Sequence, residues 1–179
     1  MALRRREFLL LAGVGAAAAA TGFLAGPLAL KRDSGGAEAL AREAFPDLAG
    51  NTRRIAEWRG RVIIVNFWAT WCAPCREEIP MFQAAREFYA PKGFEIVGIA
   101  IDSAAKVGEF VDNLKIRYPI LLAGANGISL MRELGNTVGG LPYTVLLDRT
   151  GSIVHRKLGP LHRPELDALL AGRLQASAG

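Results

Sequence analysis

Cysteine is nearly absent: the chain has two, Cys72 and Cys75, among 179 residues. A secreted scaffold stapled by disulfides needs more pairs at longer spacings. A bridge across three positions also closes too small a loop to stabilise a chain much through loop entropy. The pair is therefore better explained by reactivity than as an inert link. A four-ligand zinc site lacks a second cysteine pair, and the two histidines, His155 and His162, lie far off in sequence. Haem attachment needs a histidine directly after the second cysteine, where Arg76 stands. Internal repeats are absent as well.

Charge of one sign is also scarce once the N-terminus is set apart. The formal net charge is +5, but residues 1–32 carry Arg4, Arg5, Arg6, Lys31 and Arg32 against Glu7 alone. The remainder holds 17 basic and 16 acidic residues, which removes the electrostatic case for a nucleic-acid partner. Residues 8–30 run for 23 positions without a charge. As a helix that stretch would span about 34 Å, enough for a hydrocarbon core of about 30 Å. The basic cluster before it predicts an N-inside orientation, with the rest of the chain outside the cytoplasm. Residues 1–32 are thus read as a membrane anchor or a cleaved signal, with 18–20 as one small-residue cleavage site. The run Arg5-Arg6-Glu7-Phe8-Leu9 fits both a twin-arginine export signal and a generic basic leader. Membrane contact through residues 8–30 follows if they are retained. Residues 33–44, with Ser34-Gly35-Gly36 and scattered charges, read as a tether. The domain itself is expected over 45–174, with 175–179 as a tail.

Within 45–174 the hydrophobic pattern alternates between two periods. Residues 62–68 are β-branched and apolar around a lone polar Asn66, a buried-strand pattern. Residues 73–89 carry Ile79, Phe82, Ala85, Phe88 and Tyr89 at helical spacing. Strands are predicted at 94–101, 120–122, 143–147 and 152–157, and helices at 105–115, 128–134 and 164–174. Asp148-Arg149-Thr150-Gly151 is a hairpin turn between the last two strands, and 45–58 has room for a small hairpin. This order predicts an α/β fold, a central mixed β-sheet with helices on both faces.

The cysteines fall where the first core strand gives way to a helix. Unpaired backbone N–H groups and the helix dipole favour an anion there, so a thiolate forms more readily. Pro74 is tolerated because the first turn does not use its missing N–H. Cys72, at the tip, is read as the attacking thiol, and Cys75, one turn deeper, as the thiol that resolves the mixed disulfide. Trp71, directly before Cys72, shapes the client-facing surface together with Ala73 and Pro74. Trp68 is read as core packing with its N–H satisfied. Asp102, at a strand end, fits either a helix cap or a rim residue.

The stretch Val65-Asn66-Phe67-Trp68-Ala69-Thr70-Trp71-Cys72-Ala73-Pro74-Cys75-Arg76-Glu77-Glu78-Ile79-Pro80 resembles the active-site segment of the TlpA/ResA-like branch of the thioredoxin superfamily. Gly140-Leu141-Pro142-Tyr143-Thr144 resembles that family's cis-proline loop, and 148–154 the hairpin after it. The resemblance implies a thioredoxin-like fold and thiol–disulfide exchange without cofactor or metal. It implies that Pro142 is the cis-proline opposite the disulfide, that Leu141 offers its backbone to an extended client, and that Glu78 handles protons. Classical thioredoxins carry a buried aspartate where Asn66 stands, and Asn cannot act as a base, so the proton role moves towards Glu78 or water. Glu77 is expected to be solvated. Tyr143 replaces a threonine common after the cis-proline, and either tunes client preference or simply opens a strand.

Three functions remain open at this point. The first is a reductant of disulfides in extracytoplasmic proteins, such as apocytochrome c or copper-site cysteines, fed by a transmembrane electron donor. The second is a disulfide-donating oxidant of the same fold. The third is a metallochaperone holding Cu(I) through the two thiolates, against which stands the lack of a Met or His cluster near the motif.

Overall fold

The computed structural model describes residues 34–174. Five helices and seven strands follow in chain order: α1 (Ser34–Arg42), β1 (Phe45–Pro46), β2 (Thr52–Arg53), β3 (Val62–Trp68), α2 (Ala73–Tyr89), β4 (Phe94–Ala100), α3 (Ala104–Leu114), β5 (Ile120–Leu122), α4 (Asn126–Glu133), β6 (Tyr143–Leu147), β7 (Ile153–Leu158) and α5 (Arg163–Ala171). A five-stranded sheet runs in the order β5-β4-β3-β6-β7. β3, β4 and β5 are parallel, while β6 and β7 are antiparallel additions. The parallel half follows from the helical crossovers, and the antiparallel half from the tight turn at 148–151. There the Asp148 N–H bonds the Ser152 carbonyl at 3.0 Å and the Gly151 N–H bonds the Asp148 carbonyl at 2.9 Å. β1 and β2 form a separate small hairpin.

All seven residues of β3 are buried because both faces of the sheet are covered. Val62, Ile64 and Trp68 face a core shared with α2 and α5, while Ile63, Val65 and Phe67 face one shared with α1 and α4. Asn66 has the parity of the first set, which aims it at α2. This alternation decides which polar groups can meet the cysteine helix.

Three expectations are corrected. The segment 33–44 is not a tether: 34–42 is helical, and Ala39 and Leu40 are buried against the sheet face that carries Ile63 and Val65. Burial of two apolar side chains on one helix face outweighs the helix-breaking glycines at its start. Trp68 is packed as expected, against Phe110 at 5.4 Å between rings, but its Nε1–H has no acceptor among the described residues. Gly98 makes this packing possible, since a Cβ there would meet Trp68 Nε1 at 3.0 Å. The final helix ends at Ala171 rather than 174, at Gly172. The expected anchor or signal over 1–32 and the tail 175–179 lie outside the described residues. Among the described residues no helix is long and apolar enough to cross a membrane.

Candidate active site

β3 delivers the chain to a turn over 69–72, and α2 begins at once. Cys72 is its N-cap, in extended conformation, and its sulfur accepts the Cys75 N–H at 3.3 Å. That N–H is one of the unpaired donors at the helix start, and it points at the Cys72 sulfur. The two cysteines are joined as a disulfide with Cα atoms 5.3 Å apart. Cys72 is 5% exposed and Cys75 wholly buried, so the expected difference in access exists but is small in the oxidised form. Beside them Trp71 is 67% exposed, an unusual position for so large a ring. Ala73 is exposed and Pro74 half-buried.

The Leu141–Pro142 peptide is cis. β6 pairs with β3 so that Tyr143 lies opposite Phe67 and Thr144 opposite Asn66. Continuing that register puts Pro142 level with Trp68, at the end of β3 from which the cysteine turn departs. Leu141 is half-buried and packs against the core cluster that contains both cysteines. Tyr143 is structural: it is buried and its hydroxyl donates to the Leu134 carbonyl at 2.6 Å.

Glu78 is one helical turn beyond Cys75 on the same face, and is 4% exposed. Its Oε1 accepts from Asn66 Nδ2 at 2.8 Å, and its Oε2 accepts from the Leu161 N–H at 2.9 Å. Asn66 Nδ2 also reaches Thr144 Oγ1 at 3.1 Å. Burial pushes the Glu78 carboxyl up to about 7, against the opposing pull of these two hydrogen bonds. Such a group exchanges a proton at neutral pH, which an ordinary carboxylate does not. Glu77 is exposed, as expected.

Two partnerships were not visible in the sequence. Leu161, which holds Glu78, contributes only a backbone N–H, and nothing in a side-chain pattern signals that. Asp102 is neither a plain cap nor a rim residue. It accepts a hydrogen bond from the Thr70 hydroxyl and another from the Ser103 N–H at 2.8 Å, tying the turn before the cysteines to the end of β4. Its place at a strand end was the only available signal. Among the described residues no three His, Cys, Asp or Glu side chains form a cluster suited to a metal ion.

Comparison with known proteins converges on this geometry. A family model described as Redoxin matches residues 36–170. The thiol-disulfide oxidoreductase ResA of Bacillus thuringiensis (strain Al Hakam) is 30% identical over 125 residues, covering 69% of this chain and 70% of the relative. The thioredoxin-like protein YneN of Bacillus subtilis (strain 168) is 32% identical over 127 residues, with 69% and 71% covered. Among solved structures, a thioredoxin-family thiol:disulfide interchange protein from Chlorobium tepidum TLS superposes with a TM-score of 0.66 at 28% identity, covering 74% of this chain and 92% of that one. StoA of Bacillus subtilis superposes with a TM-score of 0.57 at 26% identity, covering 70% and 93%.

Proposed function

Because the chain belongs to the Redoxin family, among its ResA-like thioredoxins, and is a thiol–disulfide oxidoreductase, we propose that it works as a reductant of disulfides in extracytoplasmic proteins. In this reading the Cys72 thiolate attacks one sulfur of a client disulfide, and the other client sulfur leaves as a thiolate. Glu78 takes the proton of the Cys75 thiol. The Cys75 thiolate then displaces the client from Cys72, which closes the Cys72–Cys75 disulfide and releases the client as two thiols. Two electrons pass from the protein to the client in each cycle. A separate dithiol donor across the membrane restores the pair.

The observation that supports this mechanism is the burial of Glu78 one turn beyond the resolving cysteine, which pushes its carboxyl up to about 7. A thiol with an ordinary value near 8.5 is mostly protonated at neutral pH, so a base of matched strength speeds its attack. Trp71, Ala73, Pro74, Leu141 and Pro142 form the surface on which an extended client lies. Apocytochrome c and copper-site cysteine pairs are the clients we favour. Export through the segment 1–32, with or without retention of 8–30 in the membrane, completes the reading.

The equilibrium potential of the Cys72/Cys75 pair in the full chain, measured in thiol–disulfide buffers, tests the direction. A reductant is expected at or below about −250 mV, close to thioredoxin at about −270 mV. A value near −120 mV, that of a strong periplasmic oxidant, reverses the direction and makes the protein a disulfide donor.

A further inference from the structure

We propose that Tyr118 and Trp68 are positioning residues for Glu78: through one internal water beside Gly98 they hold the Asn66 amide with its nitrogen towards the carboxylate. The inference rests on Glu78 taking the proton of Cys75, as proposed for the exchange.

Buried polar atoms almost always have a hydrogen-bond partner. Three atoms of this core have none among the described residues: Asn66 Oδ1, Trp68 Nε1 and the Tyr118 hydroxyl. Their residues are closed to solvent, at 1%, 0% and 4% exposure. Trp68 and Tyr118 belong to the core that contains both cysteines. Asn66 shares the parity of Trp68 on β3, so it faces the same side of the sheet.

The three atoms converge on one place. In the pairing of β3 with β4, Gly98 lies opposite Asn66, about 4.8 Å away. A Cβ on Gly98 would meet Trp68 Nε1 at 3.0 Å and Tyr118 Cε2 at 3.2 Å. Cε2 is bonded to the ring carbon that carries the hydroxyl. Both donors therefore crowd a neighbour of Asn66 that has no side chain.

The two ends of the Asn66 amide meet opposite chemistry. Its Nδ2 serves two acceptors, Glu78 Oε1 at 2.8 Å and Thr144 Oγ1 at 3.1 Å. Thr144 is on β6, which flanks β3 on the side away from β4. The Oδ1 end is thus turned towards β4 and Gly98. There Trp68 can only donate. Burial and the Glu78 charge push the Tyr118 hydroxyl above its ordinary value, so it stays protonated and donates too. A water that accepts from both donors and donates to Asn66 Oδ1 gives all three atoms a partner, and three is the usual number for a buried water.

This arrangement fixes which way the amide faces. Turned over, it would set its carbonyl against the Glu78 carboxylate. Held as it is, it donates to Oε1, and with the Leu161 N–H it favours the ionised carboxylate against burial. No charged side chain is among the causes acting on Glu78. The titratable groups facing it are Tyr118 and, in the reduced protein, Cys75 on its own helix. The proton affinity of Glu78 therefore depends on the amide, and the amide on Tyr118 and Trp68.

The test reads Glu78 directly, by the carbon-13 shift of its carboxyl against pH in the oxidised full chain. Tyr118→Phe removes the hydroxyl and keeps the ring. It should raise the Glu78 midpoint by about half a pH unit or more, about threefold in proton affinity. Tyr89→Phe, which removes a hydroxyl bound to Asp167 at 2.8 Å, should leave the midpoint in place. In the unaltered protein the Trp68 indole proton should exchange magnetisation with a long-lived water. Absence of that water, a midpoint unmoved in Tyr118→Phe, or an equal shift in Tyr89→Phe would each overturn the network while leaving the role of Glu78 intact. A midpoint near the ordinary 4.5 in the unaltered protein would overturn that role, and the network with it.

Discussion

Glu78→Gln removes a titratable group while keeping the size and shape of the side chain. Burial raises the carboxyl from its ordinary 4.5 to about 7. At about 1.36 kcal/mol per pH unit, ionising it in the folded protein costs about 3 kcal/mol more than ionising it in the unfolded chain. The folded state therefore holds the proton through a window from 4.5 to about 7 in which the unfolded chain has released it. This contribution to stability is fully present below the window, is lost as pH rises through it, and is level above it. Glutamine carries no such dependence. It has one acceptor oxygen instead of two, so either the Asn66 amide or the Leu161 N–H loses its partner, at a cost of about 1–2 kcal/mol. The variant should be less stable than the unaltered protein by about 1–2 kcal/mol at pH 4, and more stable by a similar margin at pH 9. Urea unfolding across that range reads both margins. The proteins are kept oxidised, so that thiols add no protons of their own. A stability difference between the two proteins that stays constant from pH 4 to pH 9 would show that Glu78 is not held as a neutral acid, and would remove the physical basis for its proton role.

Cys75→Ser leaves Cys72 with no resolving partner, so a mixed disulfide with a client should accumulate and appear as a heavier species on a non-reducing gel. Cys72→Ser should trap none, and equal trapping by both variants would contradict their division of labour. Leu40 in α1 is 1% exposed, so Leu40→Ala should lower stability by about 2–4 kcal/mol in urea unfolding. An unchanged midpoint would mean that α1 is a tether after all.

Much of the fold was legible because its signals are local. The apolar run at 62–68, the helical spacing of Ile79, Phe82 and Ala85, and the turn chemistry of 148–151 each bias their own backbone, and each element formed where expected. α1 was not legible. Ser34-Gly35-Gly36 reads as flexible by propensity, and only the sheet face waiting for Ala39 and Leu40 makes the helix favourable. The Trp68 N–H failed for a related reason: whether a buried donor finds an acceptor depends on neighbours from other strands, here Gly98 on β4, which has no side chain to offer one.

The site divides along the same line. The sequence alone placed Cys72 and Cys75 at a strand–helix junction, because the spacing and the helix start are contiguous in the chain. It also marked Glu78 as one turn beyond, since i and i+3 share a helix face whatever surrounds them. Only the tertiary structure decided what kind of acid Glu78 is. Its bonds come from Asn66, 12 residues away, and from Leu161, 83 residues away. Desolvation sums over every element packed around a group, and no local pattern carries that sum.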